Sequence, residues 1–237
     1  MPRNMQALIF DCDGVLVDTE RDGHRVAFNQ AFAAAGLNVE WSVDRYGELL
    51  STGGGKERMR RHFDETGWPV NLSPGDRDAL IQKLHLTKTD LFMAIIEGGS
   101  LPLRPGVARL IDAALAVGMQ VAVCSTSNER AVSAVVRVLL GADRFSKMRI
   151  FAGDAVAKKK PDPAIYTLAA TTLHLDPASC VVIEDSHIGK SAAKAAGMRC
   201  IVTKSAYTEA EDFSGADRVV PDLDSGIDLP FCQSLTT

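Results

Sequence analysis

The chain lacks the features that mark several large classes of protein. No stretch approaches the roughly 18 uninterrupted apolar residues that a membrane-spanning helix needs. Lys and Arg total 26 against 30 Asp and Glu, so the basic excess typical of nucleic-acid-binding surfaces is missing. We therefore expect neither a membrane protein nor a nucleic-acid-binding protein.

Cysteine is scarce and poorly suited to disulfides. The five cysteines are an odd number, and none lies in C-x-x-C spacing. Cys124, Cys180 and Cys200 lie in apolar runs, where cysteine behaves as a small hydrophobic residue. Residues 1–6 also lack the apolar run of a secretory signal. These observations predict a reduced protein of the cytoplasm.

What remains is the composition of an ordinary soluble enzyme. The chain has 237 residues, of which 46% are hydrophobic and 24% are charged. This length allows a full hydrophobic core, with room for an inserted module. We expect the protein to be a monomer.

The order of apolar and amphipathic segments divides the chain. Ala7–Phe10 predicts a buried strand, after which only helices are predicted as far as about residue 96, at 19–35, 43–50, 56–66 and 74–95. Beyond Gly98 and Gly99, predicted strands (120–124, 150–151, 180–183, 200–202, 219–220) alternate with predicted helices (129–139, 163–172, 188–196). Such alternation is typical of a parallel sheet with helices on both faces. The sequence thus predicts an α/β fold, in which residues 1–17 and 98–237 form a Rossmann-like parallel sheet core, residues 18–97 form an α-helical cap, and residues 233–237 are frayed.

Two pairs of acidic residues follow predicted strands. Asp11 and Asp13 come directly after the first strand, and Glu184 and Asp185 close the run 180–183. The carboxyl ends of parallel strands meet at one edge of a sheet, where open α/β folds place their chemistry. A carboxylate there can be a nucleophile or a metal ligand, and Mg²⁺ needs few protein oxygens because it retains water. Asp11 and Asp185 are suited to hold Mg²⁺.

Two further polar residues occupy the same predicted edge. Ser125 follows the strand 120–124, and Lys160 lies shortly after the strand 150–151. Phosphate esters are anionic, so a carboxylate attacks them only when their negative charge is neutralised. Lys160 would supply a fixed positive charge and Ser125 a hydrogen-bond donor.

In this order, the four elements resemble the haloacid dehalogenase (HAD) superfamily of phosphotransferases. The matching motifs are Asp11-x-Asp13-Gly14, the run that ends in Ser125, Lys160-Pro161-Asp162-Pro163, and Glu184-Asp185-Ser186 with Gly189 beyond. The resemblance covers essentially the whole chain, and the helical insert is similar to the smaller α-helical cap of that family. It implies the HAD fold and a phosphoric monoester hydrolase.

The acidic residues then receive individual roles. Asp11 is expected to be the nucleophile that forms an aspartyl-phosphate. Asp13 is expected to protonate the leaving oxygen and later to take a proton from water, which requires a pKa raised by the neighbouring carboxylates. The resemblance implies that the backbone carbonyl of Asp13 also holds Mg²⁺, and Glu184 is expected to support the same ion.

A Gly-rich segment in the cap is the second place of predicted function. Thr52-Gly53-Gly54-Gly55 opens a predicted helix, and such a loop presents backbone N–H groups to phosphate. It is not a P-loop, since Glu57 stands where Ser or Thr is required; a flexible turn between helices is the alternative. Lys56 and Arg58 are expected to bind a second phosphate, and Arg104 is a weaker candidate for that role.

Within the superfamily, the chain is most similar to the CbbY-type sugar-bisphosphate phosphatases of the Calvin cycle. Residues 18–25, 52–59 and 124–128 carry this likeness. It implies hydrolysis of xylulose-1,5-bisphosphate, an inhibitory by-product of Rubisco, to a xylulose monophosphate and phosphate. The substrate-binding residues expected in addition to those of the Gly-rich segment are Glu20, His24, Ser125, Thr126, Ser127, Asn128 and Lys160.

Other interpretations stay open at this stage. The same core would serve a sugar-phosphate mutase of the β-phosphoglucomutase type or a phosphoglycolate phosphatase, although the latter leaves Lys56 and Arg58 without a second phosphate. A phospho-acceptor signalling domain also phosphorylates an aspartate beside acids and Mg²⁺. Taken singly, Ser125 and Asp185-Ser186 are equally consistent with helix caps, and Lys158 and Lys159 with a solvated basic run.

Overall fold

The computed structural model describes residues 4–69, 72–99 and 101–237. Its centre is a six-stranded sheet in the order β3-β2-β1-β4-β5-β6, with all neighbouring strands parallel. The strands are β1 Ala7–Phe10, β2 Gln120–Cys124, β3 Arg149–Phe151, β4 Cys180–Glu184, β5 Arg199–Thr203 and β6 Arg218–Val220. This confirms the predicted α/β fold, and each predicted strand differs from the observed one by at most one residue at either end.

The central strand is apolar throughout because both of its faces are covered. Leu8 and Phe10 lie in one hydrophobic cluster, whereas Ala7 and Ile9 lie in another on the opposite face. All four residues are fully buried. Continuous apolar sequence is what a strand covered on both faces requires, and β1 therefore holds the residues that follow it in a fixed position.

Along the chain, four α-helices separate β1 from the other strands of the sheet. They follow a π-helical turn at Glu20–His24 and are α1 Arg25–Ala34, α2 Val43–Leu49, α3 Gly55–Thr66 and α4 Pro74–Glu97. Phe28, Phe32 and Phe63 from these helices and Trp41 from the segment before α2 belong to a separate hydrophobic cluster. This cluster contains no strand residue, as expected for a helical insert with a separate core. The exact division at 1–17, 18–97 and 98–237 stays a prediction.

The remaining helices cover the sheet. They are α5 Val107–Ala116, α6 Glu129–Phe145, α7 Ala164–Leu173, α8 His187–Ala195 and α9 Leu229–Ser234. The sequence-based assignment did not include α5, whose residues Leu110 and Ile111 are fully buried. The prediction of a frayed end at 233–237 is wrong: α9 is capped by the side chain of Asp228, and Cys232 and Thr236 are buried.

Within the described part of the chain, α-helices long enough to cross a bilayer are not apolar enough to do so. Residues 1–3, part of the segment in which we expected no secretory signal, lie outside the described residues.

Candidate active site

The predicted polar residues meet at the carboxyl edge of the sheet. Phe10, the last residue of β1, pairs with Val123 of β2 and with Ile183 of β4. Asp11 continues this register, because its N–H donates to the carbonyl of Ile183 at 2.9 Å. Residues that follow these three strands are therefore neighbours in space, as the sequence predicted. Asp11, Asp13, Ser125, Lys160 and Asp185 line one cleft.

Lys160 joins the ends of all three strands. Its ammonium lies 2.6 Å from Oδ1 of Asp11, 2.7 Å from Oε1 of Glu184 and 2.9 Å from the carbonyl oxygen of Cys124. Burial opposes the charge on Lys160, but the two carboxylates outweigh it and raise the pKa of Lys160 above its usual value. The side chain is thus a fixed, buried cation beside Asp11. Tyr166 donates a hydrogen bond to the same Glu184 carboxylate.

Three carboxylates crowd around this single cation. Oxygen atoms of Asp11, Glu184 and Asp185 all lie within 4.8 Å of one another, and all three residues are buried. Burial, together with Glu184 and Asp13, raises the pKa of Asp11 to about 8 against the opposing effect of Lys160. Burial and the same crowding raise the pKa of Asp185 well above its usual value. Excess negative charge with oxygen donors fits a hard divalent cation, which would return these groups to their ionised state.

Two glycines leave room for the carboxylates of the acid cluster, because a side chain at either position would collide with them. Gly14 has φ +79°, and a Cβ there would collide with the carboxylate of Asp185. A Cβ on Gly189, in the first turn of α8, would collide with the carboxylate of Glu184. Ser186 caps α8 and accepts a hydrogen bond from the N–H of Gly189 at 3.2 Å. The cap interpretation of Asp185-Ser186 therefore holds for Ser186, while Asp185 faces the cluster.

Asp13 belongs to a separate network of hydrogen bonds. Thr19 and Ser127 donate to its two carboxylate oxygens at 2.5 Å each, and Nε2 of His24 lies 2.6 Å from Oδ1. Burial favours the neutral acid, but His24 and these hydroxyls outweigh burial and lower the pKa of Asp13 below its usual value. The expectation of a raised pKa at Asp13 is wrong, because its hydrogen bonds all favour the carboxylate.

The opposite wall of the cleft comes from the cap. Glu20 accepts a hydrogen bond from Tyr46, whose hydroxyl in turn accepts from Nη1 of Arg58 at 3.0 Å. The guanidinium of Arg58 also lies 3.5 Å from Oε1 of Glu20. Glu20 and Arg58 both line the cleft. A carboxylate and a guanidinium held by one buried tyrosine form a rigid polar surface facing the core acids.

The other predicted cap residues have different surroundings. Lys56 donates to Oδ2 of Asp154 in the core at 2.5 Å and does not line the cleft. The carbonyl oxygen of Thr52 accepts from Nε of Arg58 at 2.9 Å, so the loop before α3 holds this guanidinium in place. A Cβ on Gly53 would lie 2.6 Å from the carbonyl oxygen of Lys160, so the loop reaches the core. Gly54 and Gly55 adjoin Glu57 and His85 rather than the cleft.

Two further residues predicted to bind substrate instead make hydrogen bonds to the backbone. Arg104 donates to the backbone carbonyls of Gly14, Lys204 and Pro221, so the expectation that it binds phosphate is wrong. Asn128 caps α6 through a 2.9 Å hydrogen bond from the N–H of Arg130. Its neighbours Thr126 and Ser127 do line the cleft.

Several residues of the site carried no signal in the sequence. Nζ of Lys88 lies 2.5 Å from Nδ1 of His24, and Tyr46 holds Glu20 and Arg58. Both lie on cap helices whose position over the sheet depends on tertiary contacts. Ser205 and Tyr207 line the cleft from the loop after β5. The sequence indicated these two loop residues only through the position of the loop, directly after a strand of the parallel sheet.

Comparison with known proteins places this arrangement in a family. The family model of haloacid dehalogenase-like hydrolases matches residues 5–197. A CBBY-like protein of Arabidopsis thaliana is 60% identical over 235 residues, which are 97% of this chain and 74% of that protein. Protein CbbY of Rhodobacter capsulatus is 46% identical over 225 residues, which are 92% of this chain and 94% of that protein.

A solved structure is similar over the whole chain. A mutant of CbbY from Rhodobacter sphaeroides, in complex with xylulose-(1,5)bisphosphate, has a TM-score of 0.90 at 40% identity and covers 97% of this chain and 99% of its own. These matches confirm the predicted resemblance to CbbY, the predicted fold and the predicted class of enzyme, a phosphatase among the hydrolases. The chain belongs to the haloacid dehalogenase-like hydrolase family.

Proposed function

We propose that this enzyme is a Mg²⁺-dependent sugar-bisphosphate phosphatase that acts through an aspartyl-phosphate on Asp11. The substrate that we propose is xylulose-1,5-bisphosphate, which yields a xylulose monophosphate and phosphate. The observation that supports this most directly is the division of the site. Asp11 lies with Lys160 and the acid cluster, Asp13 lies in a separate proton-handling network, and Arg58 faces both from the cap.

The first half-reaction belongs to Asp11 and Asp13. A carboxylate oxygen of Asp11 forms the new bond to phosphorus, and the bond from phosphorus to the sugar oxygen breaks. The electron pair stays on that oxygen, which takes a proton from Asp13. In the free enzyme the pKa of Asp13 is lowered. An entering phosphate adds negative charge beside it, which raises the pKa and favours uptake of the proton to be delivered.

The second half-reaction returns the enzyme to its starting state. Asp13, now a carboxylate, takes a proton from water. The water oxygen attacks phosphorus, and the bond to Asp11 breaks to release phosphate. Lys160 neutralises charge on the phosphoryl oxygens in both steps, and Ser125 and Thr126, which line the cleft, donate hydrogen bonds to these oxygens in this proposal.

Asp11, Glu184 and Asp185 are the side chains that we propose to hold Mg²⁺, together with the backbone carbonyl of Asp13. When bound, the ion would supply positive charge that lets an anionic nucleophile approach an anionic phosphate. This assignment is supported by the chemistry of the donors, since hard divalent ions prefer carboxylate oxygen.

On the cap side we propose that Arg58 binds the second phosphate and that Glu20 and His24 lie near the sugar hydroxyls. Arg58 fits a phosphate bidentately and is already held over the cleft by Tyr46. We also propose a monomer that acts in the cytoplasm on a freely diffusing sugar phosphate. The sugar bisphosphate bound by the similar CbbY structure supports this class of substrate.

The direct test is turnover of xylulose-1,5-bisphosphate by the purified protein. Inorganic phosphate should appear with Mg²⁺ and should stop on chelation, while ³¹P NMR identifies which phosphate is lost. Asp11→Asn should abolish turnover and leave thermal unfolding near normal, whereas the exposed and remote Asp143→Asn should behave as wild type. In a separate assay with a hexose 1-phosphate, isomerised sugar phosphate with little released phosphate would instead identify a mutase. Substantial turnover by Asp11→Asn would refute the nucleophile.

A further inference from the structure

The loop after β5, residues 204–208, connects three parts of the molecule. Ser205 and Thr208 are joined by hydrogen bonds within the loop. The N–H of Ser205 donates to Oγ1 of Thr208 at 2.9 Å, and the N–H of Thr208 donates to the carbonyl of Ser205 at 3.1 Å. Both side chains are buried. The loop is thus a compact turn that can transmit position from one neighbour to another.

This turn is anchored to the two chain crossings between cap and core. Nη2 of Arg104 donates to the carbonyl of Lys204 at 2.5 Å, and the N–H of Ala206 donates to Oδ2 of Asp18 at 3.3 Å. The N–H of Arg104 also donates to the carbonyl of Leu16 at 2.9 Å, which joins the crossings to each other. Ser205 lines the cleft together with Asp185 of the acid cluster. The core end of the loop is therefore fixed relative to the reacting groups.

The outer end of the loop contacts the cap through one aromatic ring. The ring of Tyr207 meets that of Tyr46 edge to face, with centroids 5.9 Å apart at an angle of 64°. On α2, a Cβ added to Gly47 would lie 3.2 Å from a ring carbon of Tyr207, so a side chain there would press on the ring. Tyr207 packs against the hydrophobic cluster of the cap although it belongs to the core.

The hydroxyl of Tyr207 plays no part in this contact. It is buried and has no hydrogen-bond partner among the residues that the structure describes. The docking therefore depends on the ring. Tyr46, which the ring contacts, is the residue that holds Glu20 and Arg58 over the cleft.

We infer that Tyr207 is a positioning residue whose ring packs beside Gly47 and sets the closed position of the cap. Through its contact with Tyr46, the ring also positions Glu20 and Arg58. These two residues then face the part of the substrate distal to the reacting phosphate. For a bisphosphate this part is the second phosphate, so that detail rests on the proposed function. A small aryl phosphate has no such part and depends less on the cap position.

The test compares four variants on two substrates. Tyr207→Ala should raise KM for xylulose-1,5-bisphosphate about tenfold, the effect expected for loss of one well-packed aromatic contact. Its kcat/KM for p-nitrophenyl phosphate should fall far less. Tyr207→Phe should restore the bisphosphate KM, because only the ring is needed. Gly47→Ala should raise the bisphosphate KM, and Gly47→Ala/Tyr207→Ala should be no worse than Tyr207→Ala, because the methyl group then has no ring to press on.

Three results would overturn the inference: equal losses on both substrates, a Tyr207→Phe variant as impaired as Tyr207→Ala, or multiplying effects in the double variant. Thermal unfolding of each variant separates these outcomes from loss of the fold. If wild-type enzyme releases no phosphate from the bisphosphate, the proposed function fails. In that case the same variants are compared on the best phosphate ester found in a panel. Small-angle X-ray scattering gives a second test: Tyr207→Ala should increase the radius of gyration, and an unchanged radius would contradict the inference.

Discussion

Lys88 of α4 lies with its ammonium 2.5 Å from Nδ1 of His24. An ammonium group only donates hydrogen bonds, so Nδ1 is the acceptor and Nε2 carries the ring proton. Nε2 therefore donates to Asp13 at 2.6 Å. A cap residue in this way fixes the hydrogen bond received by Asp13, the core acid that we propose as the proton donor and acceptor.

Removing this ammonium should impair proton transfer. In Lys88→Met, nothing holds the ring proton of His24 on Nε2 once Asp13 is protonated, so the Asp13 acid can donate to Nε2 instead of to the leaving oxygen. We expect kcat to fall about ten- to a hundredfold for an alkyl phosphate, whose leaving oxygen needs a proton. For p-nitrophenyl phosphate, a good leaving group, the loss should be much smaller. Lys83→Met, an exposed position on the same helix, is the control; equal losses on both substrates would exclude this role.

The residues at strand ends were predictable, because apolar strand sequence fixes where each strand stops. Asp11, Lys160 and Glu184 were found in this way and meet as expected. Lys88 and Tyr46 were not, because they lie on helices whose orientation over the sheet no local pattern encodes. The pKa of Asp13 was predicted in the wrong direction because the hydrogen bonds from Thr19 and His24 depend on the fold of the π-helical turn.

Lys160→Met should damage both turnover and stability. The variant leaves Asp11 and Glu184 without their shared cation, and removing one partner of a buried ion pair is strongly destabilising. We expect kcat to fall by about 10²–10³, as for other fixed charge stabilisers, and the melting temperature to fall in metal-free buffer. Lys158→Met is the matched control, since that side chain is 79% exposed. A Lys160→Met variant with near-normal kcat would contradict the role of the ammonium in phosphoryl transfer.

Mg²⁺ should stabilise the folded protein, because a ligand that binds only the native state raises the free energy of unfolding. Titration with MgCl₂ should raise the melting temperature of wild type, and Asp185→Asn should weaken this response by removing one carboxylate from the cluster. Asp143→Asn should respond as wild type. A melting temperature independent of Mg²⁺ in wild type would argue against the proposed ion site, whatever the activity.

His85 should make the protein sensitive to mild acid. Burial, with Lys88 and Lys56 nearby, lowers its pKa from 6.5 to about 4. Between these values the unfolded chain binds the proton and the folded chain does not, so stability falls as the pH drops from about 6.5 to about 4. Urea unfolding of wild type and His85→Gln should show a difference that changes by about 3 kcal/mol over this range. Parallel pH profiles for the two proteins would show that His85 does not contribute.

The two predicted ligands of the second phosphate should differ in effect. Arg58 lines the cleft, whereas Lys56 is paired with Asp154 across the cap–core boundary. Arg58→Ala should therefore raise KM for the bisphosphate by about tenfold or more, since a charged hydrogen bond is lost, and should leave KM for a sugar monophosphate far less changed. Lys56→Ala should resemble Asp154→Asn, because each variant breaks the same ion pair. If Lys56→Ala instead raises the bisphosphate KM as much as Arg58→Ala while Asp154→Asn has no effect, Lys56 binds the phosphate directly and leaves Asp154 when the substrate enters.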